Sequence, residues 1–87
     1  MLARLGGEEF GLLIEDADID QAYDICERIR QEIASSLIPA SPGAVRLTVS
    51  GGVAELGPEG LGAALKAADE ALYRAKRSGR DRLLLAA

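Results

Sequence analysis

The sequence predicts an α+β fold, with helices packed on a mainly antiparallel sheet in the element order ββαβαβ. Three observations lead there. Apolar residues alternate with a period of two at residues 10–15 and again at 45–49. Two segments near residues 18–36 and 61–78 carry apolar stripes at helical spacing. Clusters of Gly, Pro and Ser separate these stretches. Helices that connect strands need a sheet to cover, which gives the two layers.

Residues 2–5 and 10–15 flank the turn Gly6-Gly7-Glu8-Glu9. Phe10, Leu12 and Ile14 alternate with Gly11, Leu13 and Glu15, and the short connection makes the pair a hairpin. Leu13 makes the second face apolar as well, as expected of a strand covered on both sides. Asp18 caps the first helix, with Gln21 in the capping-box position. Ala22, Ile25, Cys26, Ile29 and Ile33 form its apolar stripe, which makes Cys26 a core residue. Asp24 and Arg28 lie one turn apart in the favourable order for an ion pair. Ser35 and Ser36 end the helix, and residues 37–44, with Pro39, Pro42 and Gly43, read as a loop.

Val45, Leu47 and Val49 alternate with Arg46, Thr48 and Ser50, and the strand is expected to run over 45–54. Gly51 and Gly52 within it point to a bulge or a close backbone approach. Residues 55–60 form a second loop. Leu61, Ala64, Leu65, Ala68, Leu72 and Ala75 define the second helix, whose small residues let it lie close to a sheet. Gly79 stops it just after the cationic turn holding Lys76 and Arg77. Leu83, Leu84 and Leu85 close the order as a short buried strand.

Bulk composition narrows the function classes. With 87 residues the chain is one small domain at most, and 48% apolar residues mark it as globular. The only aromatics are Phe10, Tyr23 and Tyr73, so the core is aliphatic and the tyrosines read as packing residues. With no histidine, a Ser-His-Asp triad and most zinc sites are excluded. The lone Cys26 fits a reducing cytoplasm. A net charge of −4 disfavours a general nucleic-acid binder. No apolar run reaches the roughly 20 residues that span a bilayer, so this segment is expected to make no membrane contact.

The chemistry concentrates at the two ends. Two glycines let a ligand approach the hairpin backbone, and Glu8 and Glu9 supply hard oxygen donors beside it. That combination suits a magnesium-bound nucleotide phosphate, while an acidic, solvated hairpin tip is the plain alternative. Lys76 and Arg80 lie four residues apart across a helix end, so both side chains can point the same way. By composition alone, Lys76 and Arg77 are better read as complementing the negative end of that helix, with Arg77 a surface residue.

Arg4-Leu-Gly-Gly-Glu-Glu-Phe10, Leu47-Thr-Val-Ser-Gly-Gly-Val53 and Ala67-Ala-Asp-Glu-Ala-Leu-Tyr-Arg-Ala-Lys-Arg-Ser-Gly-Arg-Asp-Arg82, in this order, closely resemble the GGDEF family of bacterial diguanylate cyclases. The resemblance implies a fold similar to nucleotidyl cyclase and polymerase palm domains. It also implies a reaction: two GTP condense into cyclic di-GMP, with release of two pyrophosphates, in an antiparallel homodimer that uses Mg2+ or Mn2+. By resemblance, Glu8 is the catalytic and metal-binding acid and Glu9 the supporting metal ligand. Gly6 and Gly7 lie against the nucleotide, and Lys76 and Arg80 hold the triphosphate. Phe10 anchors the turn, and Asp81 and Arg82 tie down the last strand. Arg28 resembles a residue that contributes a secondary contact to inhibitory cyclic di-GMP; an exposed pair with Asp24 is the alternative.

The resemblance spans residues 1–87 as the C-terminal portion of a single GGDEF domain. It implies that the family's opening strand, its metal-binding aspartate and its guanine-reading Asn and Asp are not in this segment. The segment alone is therefore expected to be inactive. A strand that lies centrally in the family would be missing between the hairpin and residues 45–54, leaving open edges. Rearranged pairing or an intertwined homodimer is expected to fill that gap. The alternative function is a non-catalytic module that binds GTP or cyclic di-GMP, or that dimerises.

Overall fold

Alternation and turn chemistry produce the hairpin. The structure, a computed structural model, describes residues 2–6 and 9–86. Strand β1 (Leu2–Gly6) pairs antiparallel with β2 (Glu9–Leu12). Leu2 faces Leu12 and Arg4 faces Phe10, and the register shifts between Arg4 and Gly6 as the chain enters the turn. Strand β2 ends at Leu12, where its pairing with Leu2 ends, so residues 13–15 fall outside the expected strand. The expectation of a strand covered on both faces also fails. Phe10 is 64% exposed and Leu12 is exposed too, because nothing packs over the hairpin. Phe10 therefore does not anchor a core.

Helix α1 (Ile19–Ser35) begins as its capping residues dictate. Asp18 Oδ1 accepts from the Gln21 amide at 2.8 Å, and the Asp18 amide donates back to Gln21 Oε1 at 2.9 Å. Its apolar stripe exists, but no α1 residue is fully buried. Cys26 is half-buried rather than core, and Ile25 and Ile29 are exposed along much of their surface. The expected loop at 37–44 contains a minimal antiparallel pair, β3 (Ile38–Pro39) and β4 (Ala44–Val45).

The strand expected over 45–54 contracts to β5 (Gly51–Val53). A strand persists only where a neighbour completes its ladder. Strand β5 has one neighbour, β6 (Leu83–Leu85), and the two run parallel. The Gly51 amide donates to the Arg82 carbonyl at 3.0 Å, and the Ala86 amide to the Val53 carbonyl at 2.8 Å.

Helix α2 (Leu61–Arg77) lies directly on this pair. A Cβ on Gly52 would collide with the Ala68 carbonyl oxygen and come within 2.7 Å of the Leu72 amide nitrogen. The glycine is thus required by backbone-to-backbone packing, and the facing Ala71 and Ala75 are 0% exposed. Ala71, which falls outside the apolar set read from the sequence, lies at the centre of this contact. The helix ends where Gly79 takes φ 125°, with the Ser78 and Arg80 amides donating to the Arg74 and Ala75 carbonyls at 2.9 Å.

The buried apolar residues among those described are Val53, Ala71, Ala75 and Leu83, of which only the two alanines are fully enclosed. The radius of gyration, 13.8 Å, exceeds the roughly 12 Å of a compact chain this long. The cause is visible in the topology: β1–β2 and β5–β6 form separate sheets. Between them, α1 and α2 enclose an open groove of about 1090 Å³ lined by apolar side chains such as Leu12, Ile29, Val49 and Leu72. Both the hairpin and residues 47–56 contribute to its walls.

Candidate functional site

Hairpin and helix end converge on one place. Glu9 opens β2, and Lys76 sits half-buried in the last turn of α2. The two line a small cavity of about 230 Å³ together with Asp69, Leu72 and Tyr73. Asp69 and Lys76 are seven residues apart on α2, which places them on one helix face two turns from each other. Glu9, Lys76 and Arg80 also share the wall of the larger groove. Of the sequence-predicted residues, Glu9 and Lys76 are thus brought together in the small cavity, while Arg80 lies on the wall of the larger groove. Gly6 ends β1 and is exposed, with φ 152°. Gly7 and Glu8 lie outside the described residues, so the roles expected of them rest on the sequence.

A carboxylate facing a cation across a cleft has a defined chemistry. Glu9 and Asp69 offer hard oxygen donors of the kind Mg2+ and Mn2+ prefer. Among the described residues no three carboxylate, thiol or imidazole groups converge on one point. The donors are therefore right in type, and Glu8 together with substrate phosphate oxygens would have to complete a set. Lys76 supplies a point charge, and Arg80 supplies a planar fork that suits phosphate.

The turn after α2 is unusual. Arg80 has φ 63° and Asp81 φ 48°, so two non-glycine residues in succession are left-handed, at a cost of about 1–3 kcal/mol each. Several bonds hold them there. Arg30 Nη1 donates to Asp81 Oδ1 at 2.6 Å and to the Asp81 carbonyl at 3.2 Å. The Asp81 amide donates to Ser50 Oγ at 3.1 Å, and Arg82 Nε donates to the Arg80 carbonyl at 3.0 Å. Asp81 and Arg82 do fasten the last strand, since the Arg82 carbonyl receives the Gly51 amide.

Arg30 is the hub. Its Nε and Nη2 donate to the two Glu27 oxygens at 2.5 and 2.8 Å. The Arg30 hydrogen bonds hold the Glu27 carboxyl below its ordinary range, against a smaller opposing effect of burial. Glu27 and Asp81 in turn raise the Arg30 guanidinium further above its own. The ion pair expected between Asp24 and Arg28 does not form among the described residues; the charge pairing of α1 belongs to Glu27 and Arg30. Arg28 is exposed. Burial pushes the Cys26 thiol up, so it is a poor nucleophile.

Tyr73 departs from the packing role read from the sequence. It is 60% exposed, lies 5.6 Å under the Arg77 guanidinium, and accepts from Arg77 Nη1 at 2.8 Å. Arg77 is thereby a surface residue, as expected. Sequence reasoning missed Arg30, Ser50 and Asp69 as site neighbours. The spacing of Glu27 and Arg30 signals their ion pair, but nothing local in sequence links Arg30 to Asp81.

Comparison with known proteins gives a consistent family. The model of the family described as "Diguanylate cyclase, GGDEF domain" matches residues 1–82. The chain is 44% identical over 87 residues to diguanylate cyclase DgcM of Escherichia coli, covering 99% of this chain and 20% of that protein. It is 40% identical over 82 residues to the response regulator PleD of Caulobacter vibrioides, covering 90% of this chain and 18% of that protein. The solved structure of the active GGEEF domain of a diguanylate cyclase from Vibrio cholerae superposes with a TM-score of 0.80 at 30% identity. That match covers 99% of this chain and 55% of the solved one. The chain thus spans about a fifth of the length of these curated relatives.

Proposed function

The chain belongs to the GGDEF diguanylate cyclase family, and on that premise we propose that it is the C-terminal portion of one GGDEF domain. In the parent protein it contributes half of a site that condenses two GTP into cyclic di-GMP and two pyrophosphates. The observation that carries this reading is the meeting of Glu9 with Lys76 in one cavity, beside Arg80 on the groove wall. An acid able to bind metal, placed opposite two cations able to bind phosphate, is what a metal–triphosphate substrate requires.

In this reading, Glu8 and Glu9 would hold the Mg2+ or Mn2+ ion. The ion, when bound, neutralises charge on the phosphates. Lys76 and Arg80 grip the triphosphate tail, which fixes the α-phosphate for in-line attack by the 3′-hydroxyl of a second GTP. Glu8 assists removal of the proton from that hydroxyl. Gly6 and Gly7 keep the hairpin backbone free of side chains where the nucleotide lies. Arg28 on the exposed face of α1 provides the secondary contact to inhibitory cyclic di-GMP. The second GTP requires a second site, hence a homodimer of the parent, and a nucleotide substrate places the reaction in the cytoplasm. Among the described residues no helix is long and apolar enough to cross a membrane.

The guanine-reading and further metal-binding groups are supplied by the rest of the parent domain. Purified alone, the 87-residue chain is expected to produce no cyclic di-GMP from GTP and magnesium. In the full-length parent, Glu8→Gln is expected to lower turnover by about a hundredfold or more while the circular dichroism spectrum stays unchanged. Cyclic di-GMP synthesis by the isolated chain, or full activity of the Glu8→Gln parent, contradicts the reading.

The apolar groove favours a second reading for the chain on its own, that of a dimerisation module. With 87 residues and four buried apolar side chains among those described, burying the groove walls against a second copy offsets exposed apolar surface. A monomeric mass by light scattering counts against it.

A further inference from the structure

The backbone that carries Arg80 is held tightly, while its guanidinium makes no hydrogen bond or ion pair among the described residues. Left-handed conformation at Arg80 and Asp81 persists only if neighbours impose it. The neighbours are identified: Arg30 takes both the carboxylate and the carbonyl of Asp81, and Ser50 takes its amide. Arg30 itself cannot drift. Its side chain is 15% exposed, and Glu27 grips the other side of the guanidinium through both oxygens. A chain of contacts therefore runs from Glu27 through Arg30 to Asp81, and ends at a side chain that faces the groove beside Lys76.

We propose that Arg30 is a positioning residue for the reaction: by clamping Asp81 it sets the left-handed turn that aims Arg80 at the substrate phosphates. Arg30 does not touch substrate. Its effect passes entirely through Arg80, so the proposal rests on the triphosphate-binding role given to Arg80 above. A glycine at position 80 would adopt this backbone freely but would offer no phosphate grip, which is why an external clamp is needed. Lysine cannot replace Arg30, because one ammonium cannot hold Glu27 and Asp81 in the same fork.

The test is a mutant cycle on the full-length protein, read as KM for GTP with magnesium. Arg30→Gln is expected to raise KM about tenfold with a smaller change in kcat, and Arg30→Lys to recover only part of the loss. In an Arg80→Ala background, Arg30→Gln is expected to raise KM no further. An undiminished Arg30→Gln effect in that background overturns the proposal, since Arg30 would then act on the fold generally. An unchanged KM for Arg80→Ala alone removes the phosphate-binding role of Arg80, and this proposal with it. A normal KM for Arg30→Gln beside a raised KM for Arg80→Ala overturns the proposal and leaves the role of Arg80 standing. Should Arg30→Gln fail to fold, Asp81→Ala takes its place in the same cycle, because that side chain is nearly half exposed and its loss leaves the Arg30–Glu27 pair intact.

Discussion

Two regions of the molecule use similar amounts of apolar sequence to different ends. Helix α2 closes on β5 and β6 so tightly that backbone meets backbone at Gly52, and the fully buried side chains among the described residues all belong to this unit. The hairpin and α1 carry equally apolar stripes, yet α1 buries no residue completely and Phe10 stands in solvent. The difference lies in partners, not in hydrophobicity. Alanine and glycine suffice for burial where two elements are in direct contact. Isoleucine and phenylalanine stay open where no second element of the described chain packs on them. One half of the segment is a finished packing unit, and the other half is a surface prepared for company.

The largest expected effect breaks the finished half. Gly52→Val places branched carbon where the Ala68 carbonyl and Leu72 amide already sit, and the obstruction is backbone that cannot rotate away. The expected cost is about 3 kcal/mol, at the upper end of overpacking, seen as a lower urea midpoint in the full-length protein. A midpoint within error of the unsubstituted protein would mean that α2 does not lie this close to β5.

A smaller effect sharpens the contrast. Ile29 is 41% exposed on the groove wall, so in the 87-residue chain Ile29→Ser is expected to cost under about 1 kcal/mol. If the full-length protein covers the groove, the same substitution is expected to cost about 2–4 kcal/mol there, as for a buried large-to-small change that also introduces a hydroxyl. Equal costs in the two settings would show that the groove is never covered, and the two regions would then differ for some other reason.

How much of this was legible in the sequence follows the same division. The capping box of Asp18 and Gln21, the stop at Gly79 and the close approach at Gly51–Gly52 are local signals, and each appears where the residues place it. Of the acids and cations read from the motifs, Glu9 and Lys76 line one small cavity and Arg80 lies on the groove wall. What could not be read depended on neighbours. Strand length at 45–54 is set by the presence of a partner strand, which alternation of Val45, Leu47 and Val49 does not reveal. Burial of Phe10 and Cys26 was inferred from apolarity, but burial needs a second surface. The Arg30–Asp81 bond joins residues from opposite ends of the fold, while Asp24 and Arg28 offered a nearer pair that satisfies the helix rule without forming. Ion pairing on α1 is decided by the turn that packs beside it.

The smallest expected effect concerns that link between the two regions, since the Glu27–Arg30–Asp81 contacts tie α1 to the finished unit. The Arg30 hydrogen bonds depress the Glu27 carboxyl below its ordinary value of 4.5. A carboxyl with a depressed folded-state value binds protons more readily in the unfolded chain, so folding gains from it above that ordinary value. The contribution is complete near neutrality, begins to fall as pH drops through 4.5, and is gone once pH passes below the lower folded-state value. Glu27→Gln removes this term and leaves a weaker, uncharged acceptor for Arg30. Urea midpoints measured from about pH 7 down to about pH 3 should therefore converge: the unsubstituted protein is more stable at the upper end, and its advantage over Glu27→Gln shrinks with acid. High salt should change the difference little at short range, because the contact is a two-oxygen hydrogen-bonded fork with a mostly buried arginine rather than a loose surface pair. Parallel pH profiles for the two proteins would mean that the Glu27–Arg30 fork contributes nothing to stability.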